Sequence, residues 1–280
     1  MTTVGKSELI WREPSAIPGK GLTLGCAVLY LSLVILIPLA AIVLRPWSNG
    51  LDGFIAILTS PRVLAALELS YGTAAIAALI NTFFGLIVAW TLTRYRFLLR
   101  RVVDSVIDLP FPLPTSVAGI ALSALYAHTG WLGAPLAAVG IKVAYTRLGI
   151  LVALVFIGLP FVVRTIEPVL ADMSLEAEEA AATLGATRYQ TLFRVVLPAL
   201  APALVTGSTL AFARAVGEYG SVIFIAGNLP MVSEIAPLLI VIKLQEFDYA
   251  GASAIGVIML FTSLSILFAL NALHRRLARR

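Results

Sequence analysis

Residues 172–198, DMSLEAEEAAATLGATRYQTLFRVVLP, form a charged island between two apolar runs, and they are longer than the few residues that usually join neighbouring helices. Ser174 is placed to cap a helix whose first turn carries Glu176, Glu178 and Glu179, the sign of charge favoured at a helix N-terminus. Ala180, Ala181 and Ala182 extend that helix at high propensity, and Gly185 suits the left-handed residue that stops it. Thr187 followed three residues later by Gln190 has the capping-box pattern of a second short helix, which Pro198 is expected to end. The predicted unit is a helix-turn-helix on the cytoplasmic face that presents Leu184, Tyr189, Leu192 and Phe193 as apolar anchors. Pattern alone leaves two readings: a surface helix packed on its own bundle, or a docking element for another protein.

Outward from this island the chain is apolar. Hydrophobic residues make up 60% of the 280 and a further 21 are glycine, while charged residues are only 12%, about half the roughly 25% of globular domains. That balance excludes an ordinary soluble fold. A helix rising about 1.5 Å per residue needs about 20 apolar residues to cross a hydrocarbon core of about 30 Å. Six stretches approach that length: 22–44, 69–93, 109–127, 148–163 with a possible extension to 171, 197–225, and 250–273. The first is too long for the apolar region of a signal peptide and reads as an uncleaved anchor. The third begins with Pro110, Pro112 and Pro114, which predicts irregular backbone of the kind that survives at membrane depth only when buried in protein or lining a wet cavity. Arg214 and Glu218 interrupt the fifth. Residues 235–242 are apolar but too short to span, and read as re-entrant or interfacial.

The basic residues set the orientation. Lys6, Arg12 and Lys20 precede the first span, Arg94, Arg96, Arg100 and Arg101 follow the second, Arg188 and Arg194 follow the fourth, and Arg275, Arg276, Arg279 and Arg280 follow the sixth. The opposite loops hold only Arg45, Arg62, Lys142, Arg147 and Lys243. The positive-inside rule then places both termini in the cytoplasm, and the net charge of +5 requires no nucleic acid partner. The expected organisation is a cytoplasmic tail over 1–21, a six-span domain over 22–273 that contains the 172–198 loop, and a basic cytoplasmic end over 274–280. A single cysteine, Cys26, excludes a disulfide framework, and His128 and His274 leave no His-rich metal site. Gly5-Lys6-Ser7 imitates the end of a P-loop but lacks the glycine five positions earlier, so no catalytic residues are expected.

Glu179-Ala180-Ala181, three residues, Gly185, nine residues, Val195, one residue, and Leu197-Pro198 match the E-A-A-x3-G-x9-I-x-L-P loop, with Val for Ile. On this motif the chain resembles the membrane subunits of binding-protein-dependent ABC importers. The resemblance implies an all-α integral membrane protein of the type I ABC importer permease kind, with six transmembrane helices and a cytoplasmic coupling helix-turn-helix. It implies that Glu179, Ala180, Ala181, Gly185, Leu197 and Pro198 couple the chain to a cytoplasmic ATPase. The run 213–220 with Ala226-Gly227-Asn228, and the run 109–119, look like the signatures shared by sulfate and molybdate permeases. Tyr219 with residues 221–225, residues 233–240 and Lys243-Leu244 are more similar to the T-type sulfate/thiosulfate branch. This resemblance implies a bacterial inner-membrane heterodimer with a related second permease, two copies of an ATPase that uses ATP and Mg, and an extracytoplasmic sulfate-binding protein. The chain itself is then neither an enzyme nor a holder of a cofactor.

Arg214 and Glu218 lie four apart on one helical face. Charges at membrane depth are costly and mark a pathway by default, although an internal salt bridge that fixes packing is the plainer alternative. Thr115, Ser116, Ser123 and Ser221 supply hydroxyls that could line an oxyanion path, or could pack helices, as Ser and Thr commonly do in membranes. Molybdate or tungstate transport, through a homodimer, is the alternative within the same machinery. A secondary transporter would need paired acidic residues at the midplane and no coupling loop, and only Glu218 qualifies.

Overall fold

The computed structural model describes residues 20–277, and it falls into two compact units, Met1–Leu44 and Arg45–Arg280. The expected tail over residues 1–19, with Lys6, Arg12 and Gly5-Lys6-Ser7, lies outside the described residues, as do Arg279 and Arg280. All described elements are helical. In the first unit α1 (Lys20–Leu31) passes through a π-turn, Ser32–Leu36, into α2 (Ile37–Leu44). The π-turn stands immediately before Ile37-Pro38. A proline offers no N–H and its ring clashes with the carbonyl four residues back, so widening the preceding turn lets the helix continue instead of breaking.

The second unit opens with a 3-10 turn, Arg45–Asn49, then α3 (Gly50–Leu58) and α4 (Pro61–Arg94). Arg45 lies over the Tyr249 ring, 4.8 Å from its centre. The core is α4 packed on α8 (Arg147–Asp172) and α11 (Leu197–Val216). Small residues bring these helices together, as expected where lipid removes the hydrophobic drive between spans. Val162 of α8, fully buried, sits between Gly85 of α4 and Gly207 of α11. A Cβ on Gly85 would stand 2.8 Å from Val162 Cγ1, and one on Gly207 would stand 3.1 Å from Val162 Cα.

Among the described residues, five helices are long and apolar enough to cross a membrane: Gly21–Ser48, Pro61–Arg94, Arg147–Asp172, Arg188–Val216 and Tyr249–Leu270. The expected third span is not among them. Over 109–127 the chain forms turns and then α6 (Thr115–Tyr126), whose 12 residues reach only about 18 Å. The physical reason is the proline run: Pro110, Pro112 and Pro114 remove amide donors, and helix begins only after Pro114, at φ −55° and ψ 130°. The preceding α5 (Arg100–Asp108) is fastened to α8 by Arg164, which reaches Asp104 at 2.8 Å, Asp108 at 2.6 Å and Glu167 at 2.6 Å. After α6, α7 (Gly133–Ala138) leads to α8, which keeps helical form through Pro160 and Pro168 and realises the fourth expected span in its extended version.

The fifth expected span differs at both ends. It starts earlier, because α10 (Arg188–Thr191) continues through a second π-turn, Leu192–Val196, into α11. Pro198 therefore does not end the second loop helix. It sits in the first turn of α11, where the widened turn absorbs it as the first π-turn absorbs Pro38. At the other end α11 stops at Gly217, and residues 217–221 break the helix before α12 (Val222–Ile225). Residues 235–242 fall mostly in α13 (Ala236–Gln245), whose Ala236 and Leu239 pack with Val63, Ala66 and Ile255. In the last turn of α13, Lys243 contacts Glu246 at 3.0 Å and Asp248 at 3.2 Å. α14 (Tyr249–Leu277) completes the chain, with Tyr71 of α4 donating to the Met259 carbonyl at 2.8 Å.

Candidate functional site: the coupling loop and the broken fifth helix

The 172–198 loop is built by local hydrogen bonds. α9 (Glu176–Thr183) carries Glu179, Ala180 and Ala181. Its N-cap position is occupied by Leu175 with no side-chain cap, so Ser174 falls one residue short of the role expected for it. The C-terminal end is a Schellman arrangement: the Ala186 amide donates to the Ala181 carbonyl at 3.0 Å and the Gly185 amide to the Ala182 carbonyl at 3.0 Å. Gly185 has φ +80°, a region that costs a residue with a Cβ about 1–2 kcal/mol. Two residues on, the Thr187 amide donates to Gln190 Oε1 at 2.8 Å and the Gln190 amide to Thr187 Oγ1 at 3.4 Å. A C-cap and a capping box thus bracket a turn of fixed geometry. Leu184, Tyr189 and Phe193 project from it at 88%, 78% and 63% exposure, whereas Leu192 turns inward and packs on the core.

One side-chain contact fastens this loop to the bundle and was not legible as a site. Arg94, the last residue of α4, pairs with Glu178 of α9 at 2.9 Å, and the same nitrogen approaches the Met173 carbonyl at 3.5 Å. The guanidinium also lies 5.7 Å from the Trp90 ring centre. Behind the pair an open cavity of about 720 Å³ separates the end of α4 from α9 and from the start of the α10–α11 rod, with Trp90, Tyr95, Arg188 and Leu197 among its walls. Leu197 is half-buried and Pro198 exposed beside it.

The second part of the site is the break in the fifth helix. Glu218 is buried at 3% exposure and all of its charge is satisfied within the chain. Arg214 reaches Oε2 at 2.6 Å, while Oε1 accepts the Ser221 amide at 2.9 Å and the Ser221 hydroxyl at 3.1 Å. The carboxylate therefore stabilises the turn that starts α12, and the Arg214 side chain is 34% exposed. α6 packs against this break: Thr115 meets Gly220, and Gly119 meets the Ser221 backbone, so closely that neither glycine has room for a Cβ.

Thr115, Ser116, Ser221, Arg214 and Glu218 are thus gathered around one helix break. Ser123 is not part of the group; it is buried further along α6, and its hydroxyl donates to Tyr145 Oη at 3.2 Å. Ser221 is fully buried and its proton is already engaged by Glu218, so in this conformation neither of these two serines offers a free donor to an anion. A further ion pair, which the sequence shows only as loop charges, joins a half-exposed arginine to a buried carboxylate. Arg62, at the start of α4, makes a two-pronged bond to buried Glu234 at 2.8 and 2.7 Å.

The family model described as a binding-protein-dependent transport system inner membrane component matches residues 81–280. The sulfate transport system permease protein CysT of Escherichia coli (strain K12) is 48% identical over 264 residues, covering 94% of this chain and 95% of that protein. CysT of Synechocystis sp. is 47% identical over 248 residues, covering 89% and 87%. Among solved structures, a chain of a bacterial alginate ABC transporter in complex with its pentasaccharide-bound periplasmic protein aligns with a TM-score of 0.75 at 18% identity, over 91% of this chain and 93% of that one. A chain of the inward-facing MetNI methionine ABC transporter aligns at 0.55 and 20% identity, over 78% and 99%. These structures share the fold. The chain is a multi-pass membrane protein of the binding-protein-dependent transport system inner membrane component family, folded like the permeases of ABC importers.

Proposed function

We propose that this chain is the membrane-spanning permease subunit of an ATP-driven importer that carries sulfate and thiosulfate across the inner membrane. The observation that carries the substrate is the 48% identity to a sulfate transport permease, extending over 94% of the chain. Molybdate and tungstate lose ground on the same observation, and family membership sets aside an ion-coupled secondary transporter.

In this reading the chain is not an enzyme and binds no cofactor. ATP and its Mg are used by two copies of a cytoplasmic ATPase, sulfate is delivered by an extracytoplasmic binding protein, and the second half of the pathway comes from a related permease in a heterodimer. Both termini are assigned to the cytoplasm on the positive-inside rule, which takes the short apolar helix Thr115–Tyr126 as part of a sixth crossing. The exposed Leu184, Tyr189 and Phe193 enter a cleft of the ATPase, with Glu179, Ala180, Ala181 and Gly185 forming the rigid turn behind them. Leu197 and Pro198 join that turn to the span. Residues Arg188–Val216 form one helix of 29 residues, about 43 Å long, so displacement of the turn reaches the break at Gly217 without loss in a flexible joint. There Arg214, largely neutralised by Glu218, attracts the anion without holding it, and Thr115 and Ser116 border the path, while Ser123 and Ser221 support its wall.

The test is uptake of labelled sulfate in cells lacking this chain and in the same cells complemented. Restored uptake that thiosulfate competes and molybdate competes poorly is the expected outcome; molybdate-dominated uptake, or sulfate uptake indifferent to the deletion, contradicts the reading.

A further inference from the structure

The coupling helix is attached to the bundle in an uneven way. α9 buries none of its own residues, so no core packing fixes its tilt. Its ends continue into α8 and, through the Gly185 turn, into the α10–α11 rod. Toward α4, by contrast, it is linked by the Arg94–Glu178 pair at 2.9 Å, across the open cavity of about 720 Å³. The pair is well sheltered, with 17% and 23% of the two side chains exposed, so salt screens it less than a surface bridge. Arg94 is also preorganised, since Trp90 stands under its guanidinium and the Met173 carbonyl lies within 3.5 Å of the same nitrogen that meets Glu178. α4 packs on α8 at Gly85 and shares one core with α8 and α11.

We propose that Arg94 and Glu178 are positioning residues that tie the coupling helix to α4, so that α9 moves with two spans and not with the α10–α11 rod alone. This rests on the coupling role assigned above to the loop. When the ion pair holds, a push on Leu184 and its neighbours displaces α4 and α11 together and the cavity between them keeps its shape. When it is cut, α9 tilts on its two covalent ends, the cavity deforms, and less of the ATP hydrolysis is converted into movement of the spans.

The test uses the complete transporter, purified with the subunits that accompany this chain and reconstituted in vesicles, with sulfate uptake and ATP hydrolysis both measured per assembled complex. Arg94→Gln and Glu178→Gln each lower sulfate moved per ATP by about threefold to tenfold, with the ATPase subunit still bound. The reversed pair, R94E with E178R, recovers most of that loss, which no independent role of either residue predicts. Wild-type coupling in both single variants overturns the proposal, and so does loss in the single variants with no recovery in the reversed pair. Because the ratio is taken per assembled complex, a fall in expression does not decide the result. A wild-type complex that hydrolyses ATP but moves no sulfate is a failure of the substrate assignment instead, and the pair is then judged by whether the single variants alter, and the reversed pair restores, the stimulation of ATP hydrolysis by the binding protein.

Discussion

Gly185 carries the geometry of the coupling turn, because a φ of +80° and the two Schellman hydrogen bonds leave it no right-handed alternative. Gly185→Asp adds a strained Cβ and a charge at a place with open space around it, so the membrane fold is retained while the turn is distorted. The expected result is near-normal protein in the membrane with sulfate uptake reduced at least tenfold, checked by immunoblot against labelled uptake. The charge pair in the fifth helix behaves differently. Arg214→Ala strands the buried Glu218, and removing one partner of a buried pair costs about 3–5 kcal/mol, somewhat less here because Arg214 is 34% exposed. The amount of protein in the membrane should fall. Glu218→Gln keeps an oxygen for the Ser221 donors and removes the charge, so it should restore much of that loss in the double variant, as measured by thermal stability in detergent.

At the scale of elements, a π-turn precedes Pro38 and another precedes Pro198, whereas α8 carries Pro160 and Pro168 without one. Pro198→Ala removes the steric reason for the turn at Leu192–Val196, so this segment should revert toward regular α-helix and rotate Phe193 relative to the Gly217 break by a fraction of a turn. Lower sulfate uptake with unchanged stability is the expected signature. In the core, Gly85→Leu drives a side chain into Val162, where even a Cβ would lie at 2.8 Å, and should lower the melting temperature of the purified chain markedly. What could be read from the sequence divides along the same line. The Gly185 stop, the Thr187–Gln190 capping box and the span over 148–171 depend on neighbours within a few residues, and the structure realises each of them. The Arg94–Glu178, Arg62–Glu234 and Arg164–Asp108 pairs join residues far apart in the chain, and no local pattern announces them. The third span was overextended for a related reason: hydropathy sums apolar side chains, whereas prolines 110, 112 and 114 act on backbone donors, which a hydropathy sum does not count. Pro198 was misjudged as a stop because a π-turn relieves its clash at the cost of one wider turn.

On the scale of the whole molecule, the chain leaves large apolar surfaces to its surroundings. Leu79, Phe83 and Phe84 on α4 are 70%, 62% and 55% exposed, and the apolar side chains of α1 and α2 are almost all exposed. Surfaces of this kind are covered by lipid or by partner chains. In the proposed function, ATP hydrolysis on a partner drives sulfate through this chain by way of the 172–198 loop. The most direct measurement is accumulation of labelled sulfate in vesicles containing the reconstituted transporter, with and without ATP, for the wild-type chain and for Gly185→Asp at equal assembly. Sulfate accumulation that requires ATP, and that disappears in Gly185→Asp while the ATPase subunit stays bound, is the result predicted. Accumulation that proceeds without ATP, or that Gly185→Asp leaves unchanged, would contradict it.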